Sequence, residues 1–384
     1  MILLDLSKAF DTINTETILP SKLKHYGFDT NAIKWINSFF HNRQQYTTWL
    51  GNTSELTELH NISVVQGSSL GPTSFNYYIN DLVHSIDGKC TLYADDTTIV
   101  ISGKTATEVE KKANRELEIV EDFMKANKLS LNAKKSVFLT FKPKGMPRIK
   151  PEVKLSEQTL QEVEEAKFLG ITVDNRLTFK SHFTNTMKKL KSAYFALCQT
   201  KRIITFRNKM LVNNSLFKSH LEYCCLAWLD KLTSKQLSQL ETLQKKTLRA
   251  IFNAKYNSHT HDMFELAKVT RVRDIFNFKA TQFMWKVAND QQPKAITSLF
   301  TRATSNLRSS SSNKYSIGNS TRGEILYNLI HEWNDKNDLI TNSESLATCK
   351  WKVLNQIAEN AGKNRPNDDH RTVDAHYLSN YMQI

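Results

Sequence analysis

Three carboxylates offer the sequence's most specific chemistry. Asp95 and Asp96 stand side by side in "LYADDTTIV", residues 92–100, and Asp5 follows the apolar run of "MILLDL". Two like charges among strand-forming residues are costly unless something neutralises them. Adjacent residues of a straight strand point to opposite faces. The pair can therefore share one site only if "ADD" forms the tight turn of a hairpin between "CTLY" and "TTIVIS". If the strand ending at Asp5 lies beside that hairpin, three oxygen-rich groups converge, a donor set suited to hard divalent ions such as Mg²⁺. Two such ions about 3.5–4 Å apart would stabilise in-line attack at a phosphate. A bare Asp-Asp is more commonly an ordinary solvated turn, so the surroundings of the pair must decide.

The elements that would position these groups can be read from the pattern. "MILLDL" reads as a short strand. "DTNAIKWINSFFHNR" reads as a helix capped by Asp29 or Thr30, with Ile33, Ile36 and Phe40 on one face. "QQYTTWLG" and "ELHNISVV" form a strand pair around "GNTS", and "SFNYYINDLVHSI" is a helix following Pro72. From Thr105 to Lys128, apolar residues fall at Val109, Ala113, Leu117, Val120 and Met124, the steps of an amphipathic helix. "KSVFLTF" and "AKFLGITVD" are further strands, separated by the loop "KPKGMPRIKP". Ser181 to Asp290 is mainly helical, and "RATSNLRSSSSNKYS" is a serine-rich linker before a weakly specified tail.

The chain has 384 residues and a formal net charge of +14, with Lys and Arg spread along it. That balance points to a polyanionic partner, most often nucleic acid. The five cysteines (Cys90, Cys198, Cys224, Cys225 and Cys349) contain no Cys-x-x-Cys pair. This fits reduced thiols of an intracellular protein, in nucleus or cytoplasm, better than a disulfide framework. His259, His261, His370 and His376 show no zinc-ligand spacing with them. No apolar run is long enough to span a membrane, and "MILLDLSKAF" lacks the basic leader of a signal peptide.

In this order, "LLDLSKAFDTI", "VVQGSSLGPTSFNYYINDL", "LYADDTTIV" and "KLSLNAKKS" resemble the palm of a reverse transcriptase. "KFLGITVDNRLTFKSHF" is similar to the segment that follows in that family, and the nearest type is the non-LTR retrotransposon one (LINE elements of the Jockey and CR1 kind). "SLFKSHLEYCCLAWL" and "LETLQKKTLRAIF" resemble the helical region those polymerases carry after the palm, so the likeness runs to about residue 255. Each motif alone is moderately specific, and their ordered combination is highly so.

The resemblance implies an α+β fold: a palm of antiparallel sheet with helices on one face, then a helical, thumb-like domain. The division it implies is a palm over 1–178, a thumb-like region over 179–300, and linker and tail over 301–384. Asp5 and Asp95 would be the main ligands of two Mg²⁺ ions, replaceable by Mn²⁺, with Asp96 auxiliary. Phe10 would be the aromatic gate beneath the sugar, excluding a 2′-hydroxyl. Gln66, Gly67 and Ser68 would lie beside the nascent base pair, and Lys135 near the leaving pyrophosphate. Phe168, Leu169 and Gly170 would lie at the hairpin that grips the primer. The partners implied are an RNA template, a DNA primer and dNTPs. Plain core packing for Phe10 and simple solvation for Lys135 are the competing readings, and Val65 departs from the proline the family usually has there.

The family places a fingers domain before its first aspartate motif, and this sequence opens inside the corresponding palm strand. The expectation is thus an N-terminally truncated polymerase that extends primers poorly by itself. A catalytically inactive nucleic-acid-binding remnant is the alternative.

Overall fold

The protein is described from a computed structural model, which covers residues 1–59, 64–65, 67–141, 151–303, 314–316, 324–336 and 338–363. The chain divides into two compact units, Met1–Leu177 and Thr178–Ile384.

The first unit opens with β1 (Ile2–Leu4), a 3-10 turn (Ala9–Asp11), α1 (Ile18–His25) and α2 (Thr30–Phe40). The Asp29 carboxylate caps α2, accepting from the Asn31 and Ala32 amides. Four short strands follow: β2 (Arg43–Gln45), β3 (Thr48–Trp49), β4 (Asn52–Thr53) and β5 (Thr57–Leu59). They pair β2 with β5 and β3 with β4 as an antiparallel ribbon. Residues 60–63 of the expected second strand lie outside the described residues. Next come α3 (Leu70–Ile79), α4 (Leu82–Ser85), the hairpin β6 (Lys89–Tyr93) and β7 (Asp96–Val100), and α5 (Ala106–Ala126). Helix α3 starts two residues before Pro72 rather than after it, because proline is tolerated in a first turn, where its missing N–H has no partner to lose.

The unit closes with β8 (Val137–Phe138), β9 (Lys154–Leu155), β10 (Gln158–Thr159), β11 (Gln161–Glu162), β12 (Glu165–Phe168) and β13 (Ile171–Asp174). "KSVFLTF" contributes only the two residues of β8 to the sheet. "AKFLGITVD" is a hairpin rather than one strand: Leu169 (φ +44) and Gly170 (φ +83) supply the two left-handed positions of a tight turn.

The main sheet has the order β11-β8-β1-β7-β6, antiparallel except at the β11–β8 edge. One face is the core. Ile2, Leu4, Ile99 and Phe138 cluster there with Leu19 and Leu23 of α1, Phe75 and Tyr78 of α3, and Leu117 and Val120 of α5. Burial of these side chains at about 25 cal/mol per Å² is what holds the helices on that face. Tyr78 is fully buried, and its hydroxyl donates to the Asn127 carbonyl at 2.6 Å. The arrangement is α+β, with the helices on one side of an antiparallel sheet.

The second unit is helical: α6 (Lys180–Thr200), α7 (Phe206–Val212), a π-helical stretch (Asn213–Lys218), α8 (Ser219–Glu222), α9 (Cys225–Trp228), α10 (Ser234–Ile251), α11 (His261–Leu266), α12 (Val272–Ala288) and α13 (Lys294–Thr297). A short pair, β14 (Thr301–Arg302) with β15 (Tyr315–Ser316), precedes α14 (Ile325–Asn334), α15 (Asp338–Thr341) and α16 (Leu346–Lys363). The stretch from residue 301, expected as linker and weak tail, therefore contains helices that join a core. Leu329, Trp333, Ile340, Cys349 and Val353 pack with Ala280, Met284 and Trp285 of α12. Residues 304–313 of the serine-rich stretch, and those after 363, lie outside the described residues.

All five cysteines are free. The adjacent pair splits: Cys225 is buried and Cys224 exposed, so only one of them is a core thiol. Burial pushes the Cys225 thiol up to about 12, and Cys90 and Cys349 to about 11, leaving them protonated and unreactive.

Candidate active site

The face of the main sheet opposite the core carries the carboxylates. Pairing of β1 with β7 runs Ile2 with Ile99, Leu3 with Thr98 and Leu4 with Thr97. One step further, that register sets Asp5 opposite Asp96. Cross-strand partners share a face, so both belong with Leu3 rather than with the buried Leu4. The β6–β7 hairpin closes on the pair Tyr93 with Asp96, leaving Ala94 and Asp95 as a two-residue loop. Ala94 takes the left-handed position at φ +52, which puts Asp95 at the tip beside Asp96. The turn expected from "ADD" is thus one residue shorter: Asp96 is the first residue of β7.

Charge is felt among the three. Burial, then the like charges of Asp95 and Asp5, raise the Asp96 carboxyl above the ordinary aspartate value, and Lys167 on β12 partly opposes this. Among the described residues, only His261, Asp262 and Glu265 bring three potential ligand atoms within 4.8 Å of one another. The three aspartates lie near enough for Asp95 and Asp5 to act on Asp96 but do not close to that spacing. Their donor set, all carboxylate oxygen, and the mutual repulsion on Asp96 fit a hard divalent cation, which would relieve that repulsion.

Asp5 is held from behind by the segment "NAKKS". Its N–H donates to Ser136 Oγ at 3.1 Å, and its carbonyl accepts from the Asn132 N–H at 2.8 Å. Ser136 is 1% exposed and donates in turn to the Asn132 carbonyl at 2.9 Å. The same turn brings Lys135 Nζ to 3.9 Å from Asp5 Oδ2. The Lys135 side chain is 71% exposed and the pair is at the limit of contact, so the ion pair is loose and the ammonium is free to move to another anion.

Phe10 is half-buried against the core, its ring centroid 4.8 Å from that of Phe75 on α3. Its carbonyl accepts from the Val64 N–H at 2.9 Å, tying it to the loop before α3. In that loop Gly67 has φ +82, a conformation that favours glycine. Ser68 Oγ donates to the Val65 carbonyl at 2.7 Å and accepts from the Gly71 N–H at 3.0 Å, so its hydroxyl is committed to the loop itself. A Cβ on Gly71 would meet the Val65 carbonyl at 2.8 Å, which fixes glycine there. Gln66 lies outside the described residues. Phe168, Leu169 and Gly170 occupy the tip of the β12–β13 hairpin, whose Lys167 acts on Asp96.

Sequence reasoning missed two contributors, Ser136 and Lys167. Both lie inside quoted motifs, "NAKKS" and "KFLGITVD", but only the fold shows that one clamps Asp5 and the other faces Asp96.

An α+β sheet with helices on one face and clustered carboxylates on the other is the class of a polymerase palm. Residues 1–173, nearly all of the first unit, match the reverse transcriptase (RNA-dependent DNA polymerase) family. The chain is 26% identical over 294 residues to the RNA-directed DNA polymerase from mobile element jockey of Drosophila melanogaster, covering 73% of this chain and 31% of that protein. The jockey polymerase of Drosophila funebris is 24% identical over 304 residues, 76% of this chain and 32% of that protein. The probable RNA-directed DNA polymerase from transposon BS of Drosophila melanogaster is 24% identical over 271 residues, 66% and 29% respectively. The chain spans about a third of the length of these relatives. The family in general uses divalent metal ions. Among the described residues, no helix is long and apolar enough to cross a membrane.

Proposed function

We propose that this chain carries the catalytic palm of an RNA-directed DNA polymerase, which adds dNMP from a dNTP to the 3′-hydroxyl of a DNA primer on an RNA template. The observation that carries the reading is the shared open face of Asp5 and Asp96, with Asp95 at the adjoining hairpin tip.

Asp5 and Asp95 would hold two Mg²⁺ ions, with Asp96 beside them. When bound, these ions would polarise the α-phosphate and favour the primer alkoxide. The chain's own groups do the positioning. The "NAKKS" turn fixes the Asp5 backbone. Lys135 offers a cation beside Asp5 for a departing pyrophosphate. Phe10, its ring beside that of Phe75, would be the gate that excludes a 2′-hydroxyl, and the β12–β13 hairpin with Lys167 would meet the primer strand. The helical second unit is the thumb-like region of this reading.

Primer extension tests it: a DNA primer annealed to RNA, dNTPs and Mg²⁺, with the chain and its Asp95→Asn variant. The expected result is weak Mg²⁺-dependent extension that Asp95→Asn abolishes while primer–template binding persists. Extension that survives Asp95→Asn would overturn the assignment. Binding without extension by the unaltered chain would favour an inactive nucleic-acid-binding remnant.

A further inference from the structure

Helix α16 has more apolar surface than its core uses. Cys349 and Val353 are buried in the cluster that α12 begins. Trp351 lies midway between them in sequence, which puts it about 200° around the helix axis from each. It is 63% exposed, and Leu354, the next residue of that face, is 41% exposed. Ala358 extends this second stripe by a further turn. A helix that had only to close the core would carry polar residues there.

The second stripe is one wall of a groove of about 370 Å³. The end of α11 and its link to α12 form the other wall, with Phe264 and Val269. Two of the charged groups at the rim are engaged with His261. Arg271 Nη2 lies 2.6 Å from His261 Nδ1, with its guanidinium over the Phe264 ring, and Glu265 Oε1 lies 3.1 Å from His261 Nε2. Lys268 stands exposed beside them. The groove is thus an apolar slot with a cation at its edge.

The chain itself carries a segment that suits this slot. Residues 372–384, "TVDAHYLSNYMQI", follow α16 closely and lie outside the described residues. Val373, Tyr377, Tyr381 and Ile384 fall at steps of four, four and three, with Leu378 and Met382 beside them, the spacing of one helical face. Thr372 is a residue type that caps a helix. Asp374 is the segment's one acidic residue, and it holds no Lys or Arg, so its charge complements a rim carrying Lys268.

The tether is long enough. Residues 364–371 can span up to about 26 Å when extended. The return from Lys363 to Trp351 is about 18 Å along the helix. Pro366 in the tether opposes continuation of α16 and suits a reversal of the chain. A tether this short gives an effective concentration in the millimolar range, an advantage that no separate partner has.

We infer that residues 372–384 fold back as an amphipathic helix into the groove between α16 and the α11–α12 link, laying their aromatic stripe on Trp351 and Leu354. The groove lies within the second unit, so the inference does not depend on the polymerase reading.

The test uses the full chain, a full-length variant with Tyr377→Asp and Tyr381→Asp, and a fluorescent synthetic peptide of residues 372–384. The double variant should leave the groove open. Fluorescence anisotropy should show the peptide binding it at least about tenfold more tightly than the unaltered chain, whose own segment competes. Adding Leu354→Asp to the double variant should weaken peptide binding at least about tenfold, and adding Trp351→Ser instead should do the same. Both residues are exposed, so circular dichroism should be unchanged. Hydrogen exchange gives an independent readout: the amides of 372–384 should be protected in the unaltered chain and lose that protection with Leu354→Asp. Equal peptide affinity for the unaltered chain and the double variant would overturn the proposal, as would binding to neither. Peptide binding that survives both Leu354→Asp and Trp351→Ser would overturn it too. A dimer in sedimentation velocity that Leu354→Asp separates would put a second copy of the chain in the groove and equally contradict it.

Discussion

Ser136→Ala should loosen the backbone that presents Asp5. Ser136 is 1% exposed, so water cannot readily take the place of its hydroxyl. It accepts the Asp5 N–H at 3.1 Å and donates to the Asn132 carbonyl at 2.9 Å. That carbonyl keeps the Lys135 and Ser136 amides when the hydroxyl is gone, so it is not orphaned. The Asp5 amide has no such reserve. One buried donor left unsatisfied costs about 1–3 kcal/mol, and the half-exposed setting of Asp5 argues for the lower end, about 1–2 kcal/mol. For a unit of this size that corresponds to a fall in Tm of roughly 2–8 °C. Chemical denaturation followed by circular dichroism, with the unaltered chain alongside, gives the difference directly. The same variant should bind Mn²⁺ several-fold more weakly, because Asp5 loses one of its two backbone anchors. A stability change under about 0.3 kcal/mol together with unchanged Mn²⁺ binding would refute the claim that "NAKKS" positions Asp5.

Three further outcomes follow from the site and its supports. Thr97→Val should stabilise the metal-free chain by about 1 kcal/mol in urea unfolding, since the Thr97 hydroxyl is buried on the core face with no hydrogen-bond partner among the described residues; a loss of stability would show that the hydroxyl is satisfied. Gly71→Ala should cost about 1–3 kcal/mol, because its Cβ would press on the Val65 carbonyl at 2.8 Å and force the loop before α3 to move; an unchanged midpoint would refute that tight packing. Asp96→Asn should stabilise the chain in EDTA at neutral pH. The Asp96 carboxyl is raised in the folded state, so its ionisation opposes folding. That penalty is absent below the unfolded aspartate value of about 3.9, grows as pH rises through the folded value, and is fully present above it. The gain over the unaltered chain should therefore shrink to nothing in acid, and a gain independent of pH would contradict the repulsion among the three aspartates.

The site was more legible in the sequence than the supports around it. In "LYADDTTIV" a hairpin was the one arrangement that lets both carboxylates share a site, and β6–β7 forms it. Asp5 could be joined to the pair because its strand ends at the charge, and the β1–β7 register does so. Ser136 was illegible, since a serine after two lysines looks solvated until the chain folds it under Asp5. The hairpin in "AKFLGITVD" was legible only through the family resemblance, because continuous apolar and β-branched residues hide the turn at Leu169-Gly170 from the hydrophobic pattern. The helices after residue 324 were hidden by the polar run before them, which reads as the end of a folded region. Trp333 and Val353 instead complete the core that α12 begins.

Mn²⁺ binding followed by electron paramagnetic resonance tests the central claim most directly. The chain should bind Mn²⁺ in a form that Mg²⁺ displaces. Asp5→Asn and Asp95→Asn should each weaken that binding at least about tenfold, the loss expected when a ligand charge goes. His261→Ala should leave it unchanged, since that residue belongs to the separate cluster with Asp262 and Glu265. Binding that survives both aspartate substitutions and disappears with His261→Ala would contradict the account and move the metal centre out of the palm.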